Sequence, residues 1–107
     1  MKVNNLVIIL CTAPNEDWAL KLAKKSLEER LAACITQFKN VSSLYYWKGE
    51  IKHTKEVQML IKTDYLHQEK LLRLLKDMHP YETPELLVLT VQDVNQQYHY
   101  WLTTTLQ

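Results

Sequence analysis

The chain has 107 residues, 47% of them apolar and 23% charged, with a single Gly and three Pro; that apolar content excludes an intrinsically disordered chain and suffices for one core, so a single domain over residues 1–107 is expected. Thirteen Lys and Arg against twelve Asp and Glu leave a net charge of +1, too balanced for the basic stripe that neutralises several phosphates, which argues against nucleic acid as a partner. The longest apolar run, residues 6–11, falls far short of the ~20 residues needed to cross a bilayer, so no membrane span is expected, and two cysteines with no leader-like pattern before them read as reduced thiols of a cytoplasmic protein.

Leu6-Val7-Ile8-Ile9-Leu10-Cys11 is a continuous aliphatic run bounded by Asn5 and Pro14, which suits a central strand covered on both sides. Pro14-Asn15-Glu16-Asp17 supplies a cap and first-turn acids, and Ala19, Leu22, Ala23, Ser26 and Leu27 follow at helical spacing with lysines opposite. Val41, Ser43, Tyr45 and Trp47 share one face of a second, extended segment. Gly49 then marks a hairpin turn, where positive φ is needed. Val57, Met59 and Ile61 alternate with polar or longer side chains in a third strand, antiparallel to the second. Asp64 caps a second helix with a Leu71, Leu72, Leu75, Met78 stripe that Pro80 ends after His79. Residues 84–91 form a last strand, and Asn95 opens a terminal helix with Tyr98, Trp101 and Leu102 inward.

Right-handed crossovers and two helices on one sheet turn this order into an α+β, ferredoxin-like βαββαβ sandwich with an extra C-terminal helix and a long β2-β3 hairpin, sheet order 4-1-3-2. One rim of that fold gathers Cys11, the Trp47 hairpin, Met78-His79 and Glu85. The hairpin, over residues 38–63, is longer than two helices cover, so part of it projects with Tyr45, Tyr46 and Trp47, whose rings a pleat sends to both faces. Either a second subunit covers them or the terminal helix does.

Cys11-Thr12-Ala13-Pro14, Tyr45-Tyr46-Trp47-Lys48-Gly49, Glu56-Val57-Gln58 and His79-Pro80-Tyr81-Glu82-Thr83-Pro84-Glu85 together resemble the CutA family of divalent-cation tolerance proteins, end to end. The resemblance implies a homotrimer built through the long hairpins, a fold like that of the PII signalling proteins, and copper binding linked to metal tolerance. It also implies ligands: the cysteine of the first block, here Cys11, and two histidines before Pro-Tyr, here Met78 and His79. Met in place of the first histidine gives a thiolate, thioether and imidazole set, which favours Cu(I) over Cu(II), with other divalent cations as further candidates.

Each candidate has a structural reading too. Cys11 is either a small buried hydrophobe or a ligand whose thiol a following helix start makes more acidic. Met78 falls on a core stripe. His79 is a ligand or a C-cap. Glu85 is a hard oxygen ligand, an acceptor that hydrogen-bonds a metal-binding side chain, or a surface ion-pair partner. Tyr45, Tyr46, Trp47 and Tyr81 line a cleft between subunits rather than act chemically. His53, His67 and His99 lack metal-ligand spacing and read as exposed. A Cys11, His79, Glu85 catalytic arrangement lacks a Gly turn for an oxyanion, so no enzyme is expected. Two functions follow: a cytoplasmic metal-tolerance trimer, or a PII-like regulatory or scaffolding trimer that binds a small ligand or partner protein in its clefts. The single Gly argues against phosphate cradling there.

Overall fold

The computed structural model describes residues 4–107. Its elements run β1 (Leu6–Ala13), α1 (Glu16–Glu28), β2 (Cys34–Trp47), β3 (Glu50–Asp64), α2 (Tyr65–Met78), β4 (Leu87–Thr90) and α3 (Gln96–Thr105). The sheet order is β2-β3-β1-β4 with every pair antiparallel, which is the expected ferredoxin-like arrangement. Asn15, Asp64 and Asn95 cap the three helices, each side chain accepting from a first-turn N–H. α1 ends in a 6→1 bond from Leu31 N–H to the Ser26 carbonyl, with Arg30 in the left-handed region at φ 58.

Both helices lie on one face of the sheet. Ile9, Cys11 and Ala13 of β1 and Val57, Met59 and Ile61 of β3 pack there against Ala19, Leu22, Leu71 and Leu75. A smaller cluster joins Leu6 and Ala33 to Leu102 and Leu106, so α3 closes the sheet at the end where β1 begins. Of the three residues expected inward on α3, only Leu102 is buried; Tyr98 and Trp101 stack on each other at 5.5 Å and stay partly exposed. Because α3 sits at that end, it does not serve as the cover for the hairpin aromatics.

Two features shape the hairpin. Lys48 and Gly49, the central pair of its turn, both have positive φ (50 and 81), the requirement of a two-residue primed turn that matches strand twist. Between Phe38 and Val41 the register slips, with Asn40 at φ 55: a β-bulge, placing two residues of β2 opposite one of β3. The strands reach 14 and 15 residues and set the molecule's 44 Å long axis. The accessible surface is 7367 Å², against about 6,200 Å² for a compact chain of this size, and the radius of gyration is 14.6 Å, against about 13 Å. The excess lies where Leu44, Tyr46 and Ile51 are at least 65% exposed, beside β2, an edge strand with one unpaired side.

Two boundaries depart from expectation. β1 continues past Cys11 to Ala13, pairing Thr12 with Gln58 and Ala13 with Val57. β4 begins at Leu87 rather than Pro84, because its pairing with β1 starts opposite Leu10, so Glu85 stands in the extended segment before the strand.

Candidate functional site

The C-terminal end of β1, the C-terminal end of α2 and the segment that follows it converge, as the topology requires. The point of convergence is a backbone atom. The Thr12 carbonyl accepts a 2.6 Å hydrogen bond from His79 Nε2 and a 3.8 Å contact from Cys11 Sγ. A thiol and an imidazole separated by 67 intervening residues therefore meet at one oxygen. Met78, half-buried, packs against the same apolar cluster that contains Cys11.

His79 is buried, and its side chain reaches across to β1 instead of capping its own helix; the bond back to the helix is its backbone N–H to the Leu75 carbonyl at 3.0 Å. Nδ1 accepts from the Tyr81 N–H at 3.1 Å while Nε2 donates to Thr12, a pairing that assigns the neutral Nε2–H tautomer. The Tyr81 ring sits 4.9 Å from the imidazole.

Cys11 corrects a reading of the sequence. Its expected acidification by a helix start does not occur, since α1 begins only at Glu16 and the thiol is fully buried. Burial pushes its pKa up to about 12, with the Glu85 carboxylate adding to the shift. At neutral pH the group is a neutral thiol. Cys34, the other free cysteine, is half-buried on β2, where the Lys62 ammonium lies 3.9 Å from its sulfur.

Beside this meeting point opens a cleft of about 660 Å³ between the distal hairpin and the 80–85 segment. Tyr45 and Trp47 form its hairpin wall and Tyr81 the opposite one, whereas Tyr46, 75% exposed, points elsewhere. Glu56 and Gln58 of β3 enter its floor, and sequence patterning placed neither at the site. Glu56 is only 6% exposed and accepts a 2.6 Å bond on Oε2 from the Tyr81 hydroxyl. Burial, that bond and the Glu56 charge all raise the Tyr81 pKa. Gln58 Nε2 links the Cys11 carbonyl at 3.4 Å to Glu85 Oε1 at 3.0 Å, so Glu85 is tied to the cysteine through Gln58. The sequence carried no signal for Glu56, which alternates with Val57 as an outward acid would; its place beside the β-bulge, opposite Val41, exists only in the folded hairpin.

Among the described residues no three His, Cys, Asp or Glu side chains form a metal-chelating group. The soft set reaches three donors only through the Met78 thioether. His53 is exposed as expected, but His67 and His99 are half-buried, His67 held by Asp64 at 2.6 Å.

Residues 7–105 match the family model described as CutA1 divalent ion tolerance protein. The divalent-cation tolerance protein CutA of Pectobacterium atrosepticum is 52% identical over 101 residues, covering 94% of this chain and 92% of the relative. That of Yersinia pestis is 48% identical over 103 residues, covering 96% and 87%. Among solved structures, CutA of Xylella fastidiosa superposes with a TM-score of 0.94 at 34% identity, covering 97% of this chain and all of the other. A protein of Archaeoglobus fulgidus described as a periplasmic divalent cation tolerance protein gives 0.92 at 29% identity, covering 95% and 99%.

Proposed function

The chain belongs to the CutA1 family of divalent ion tolerance proteins, and from that premise we propose that this single-domain protomer is a cytoplasmic, homotrimeric copper-binding protein acting in metal tolerance. Cys11, His79 and Met78 are its ligands. The observation that carries this reading is the shared Thr12 carbonyl: a metal ion needs the thiol and imidazole within one coordination sphere, and both already address one atom.

The environment favours Cu(I). A buried thiol that holds its proton to about pH 12 yields it only to a cation that compensates the thiolate in place. Thiolate and Cu(I) sum to zero charge, whereas thiolate and Cu(II) leave a net positive charge in a dry site, which is costly. A sulfur-rich donor set points the same way. A bound ion would take the place of the Cys11 proton, which would be released to solvent, and of one of the two hydrogen bonds made by the His79 ring. Glu85, held by Gln58, supports the site electrostatically from outside. The family description concerns metal tolerance, and no residue here is assigned a catalytic step.

The excess surface, the unpaired edge of β2 and the exposed hairpin side chains support assembly through the hairpins. A role for the clefts in binding a small ligand, the second reading of the sequence, is supported by the 660 Å³ space itself.

Anaerobic titration with Cu(I) against a chromophoric chelator tests the metal reading, with sedimentation velocity run on each sample. We expect one Cu(I) per protomer in a trimer, loss of binding in Cys11→Ser and His79→Ala with assembly intact, and about a tenfold loss in Met78→Leu. Tighter binding of Zn(II) or Cu(II) than of Cu(I), or unchanged affinity in the cysteine and histidine variants, refutes the ligand set; a monomer at micromolar concentration refutes the assembly.

A further inference from the structure

We infer that Glu56, acting through Tyr81, is a positioning residue for the His79 imidazole and sets the orientation and tautomer that this ring presents. The effect on metal affinity rests on the copper reading; the ring geometry stands without it. A chain of hydrogen bonds runs from the hairpin to the ring. Glu56 Oε2 accepts from the Tyr81 hydroxyl at 2.6 Å, the Tyr81 N–H donates to His79 Nδ1 at 3.1 Å, and His79 Nε2 donates to the Thr12 carbonyl at 2.6 Å.

The middle link of this chain has no backbone anchor. Among the described residues, no backbone–backbone hydrogen bond joins residues 80–86 to the rest of the molecule. Side chains hold the segment instead: Tyr81 on Glu56, Glu85 on Gln58, and Leu86 against the core. Pro80 restricts its own φ and keeps His79 extended, at ψ 137, but places no such limit on Tyr81. The Tyr81 N–H therefore stays on Nδ1 because the Tyr81 ring, 4.9 Å from the imidazole and tilted 46° to it, is fixed at its far end by the acid. Glu56 is a firm anchor, since the sheet holds its backbone opposite Val41 and its side chain is buried.

A neutral imidazole carries one lone pair, and the hydrogen bonds at its two nitrogens decide where that pair lies. A donor facing Nδ1 and an acceptor facing Nε2 select the Nε2–H form. Once the Tyr81 N–H moves away, the preference at Nδ1 is lost, and the ring samples both tautomers and more than one orientation. A ligand ring that must be ordered on binding holds a metal less tightly, and removing the partner that orients it lowers affinity by about 10–100-fold. The Tyr81 hydroxyl needs an acceptor at position 56 and not a charge, so Gln fills the role and Ala does not.

Long-range proton–nitrogen correlation spectra of the metal-free, assembled protein at mildly alkaline pH read the ring directly, with His79→Ala assigning its signals among the four histidines. We expect a protonated Nε2 and a bare Nδ1 in wild type and in Glu56→Gln. In Tyr81→Phe and Glu56→Ala tautomer exchange draws the two nitrogen shifts together, while the signals of His67, held by Asp64 on α2, stay in place and show that the fold is intact. Cu(I) titration of the same samples should give about a tenfold loss of affinity in Tyr81→Phe and Glu56→Ala and wild-type affinity in Glu56→Gln. Tyr81→Phe keeps the Glu56 charge, so its loss separates positioning from a charge effect. Wild-type ring spectra in both Tyr81→Phe and Glu56→Ala overturn the inference, as does a Glu56→Gln variant that shifts as far as Glu56→Ala. If the wild type binds no Cu(I), the copper reading falls alone and the metal-free spectra still decide the role of Glu56.

Discussion

Replacing Tyr81 with Phe isolates the contact that holds the cleft together. The substitution removes one hydroxyl and leaves the ring against His79, so the loss is confined to the 2.6 Å bond to Glu56 Oε2. A hydrogen bond to a charged acceptor contributes ~1.5–3 kcal/mol, and a buried acceptor stripped of its donor is destabilised by a similar amount. Because the cleft lets water reach the vacated oxygen, the lower part of that range applies, and we expect a loss of about 1–2 kcal/mol. Urea unfolding at fixed protomer concentration measures it, since assembly makes stability concentration-dependent. The same substitution in a Glu56→Gln background meets a neutral acceptor and costs less, so a double-mutant cycle returns a coupling of about 1 kcal/mol. A Tyr81→Phe loss below about 0.3 kcal/mol, or a coupling of zero, refutes the view that this bond organises the cleft.

Two further predictions concern titration and backbone. Below pH 9 both the native and unfolded metal-free chains keep the Cys11 proton; above it the unfolded chain releases the proton while the native state holds it to about pH 12, so native stability falls as pH rises, by about 2 kcal/mol between pH 9 and 10.5. Urea unfolding should show that slope in wild type and not in Cys11→Ala; parallel pH profiles contradict it. At the hairpin turn, Gly49 has φ 81 and open space where a Cβ would stand, so Gly49→Ala costs about 1 kcal/mol through backbone strain alone. Lys48→Asn, at φ 50, should stabilise by a few tenths of a kcal/mol, because Asn tolerates that region better; thermal melts that rank the two variants in the opposite order reject the turn assignment.

Local physics made most of the fold legible. Aliphatic runs and alternation located the strands, and Asn15, Asp64 and Asn95 marked helix starts because a side-chain oxygen reaches the first free N–H groups regardless of the rest of the molecule. Gly49 marked the turn for an equally local reason. The errors fell where a distant partner decides the outcome. β4 lost its first residues because pairing begins only at Leu10, and Tyr98 and Trp101 stayed partly exposed because α3 meets the sheet through Leu102 and Leu106.

At the site, the order of hydrophobic periods sufficed to bring Cys11 and His79 to one rim, since connectivity alone restricts where a strand end and a helix end meet. Sequence did not determine the state of those groups. Protonation depends on how much water and charge surround an atom: the thiol became less acidic because β1 runs on past it beneath two helices, and because Glu85 stands near. Glu56 reads as an ordinary surface acid in a strand of alternating polarity. Only the folded hairpin, bent at Asn40 and closed by Tyr81, removes it from solvent. Covalent order settles which segments neighbour one another, whereas solvation is a property of the assembled surroundings, and the chemistry of this rim is set by solvation.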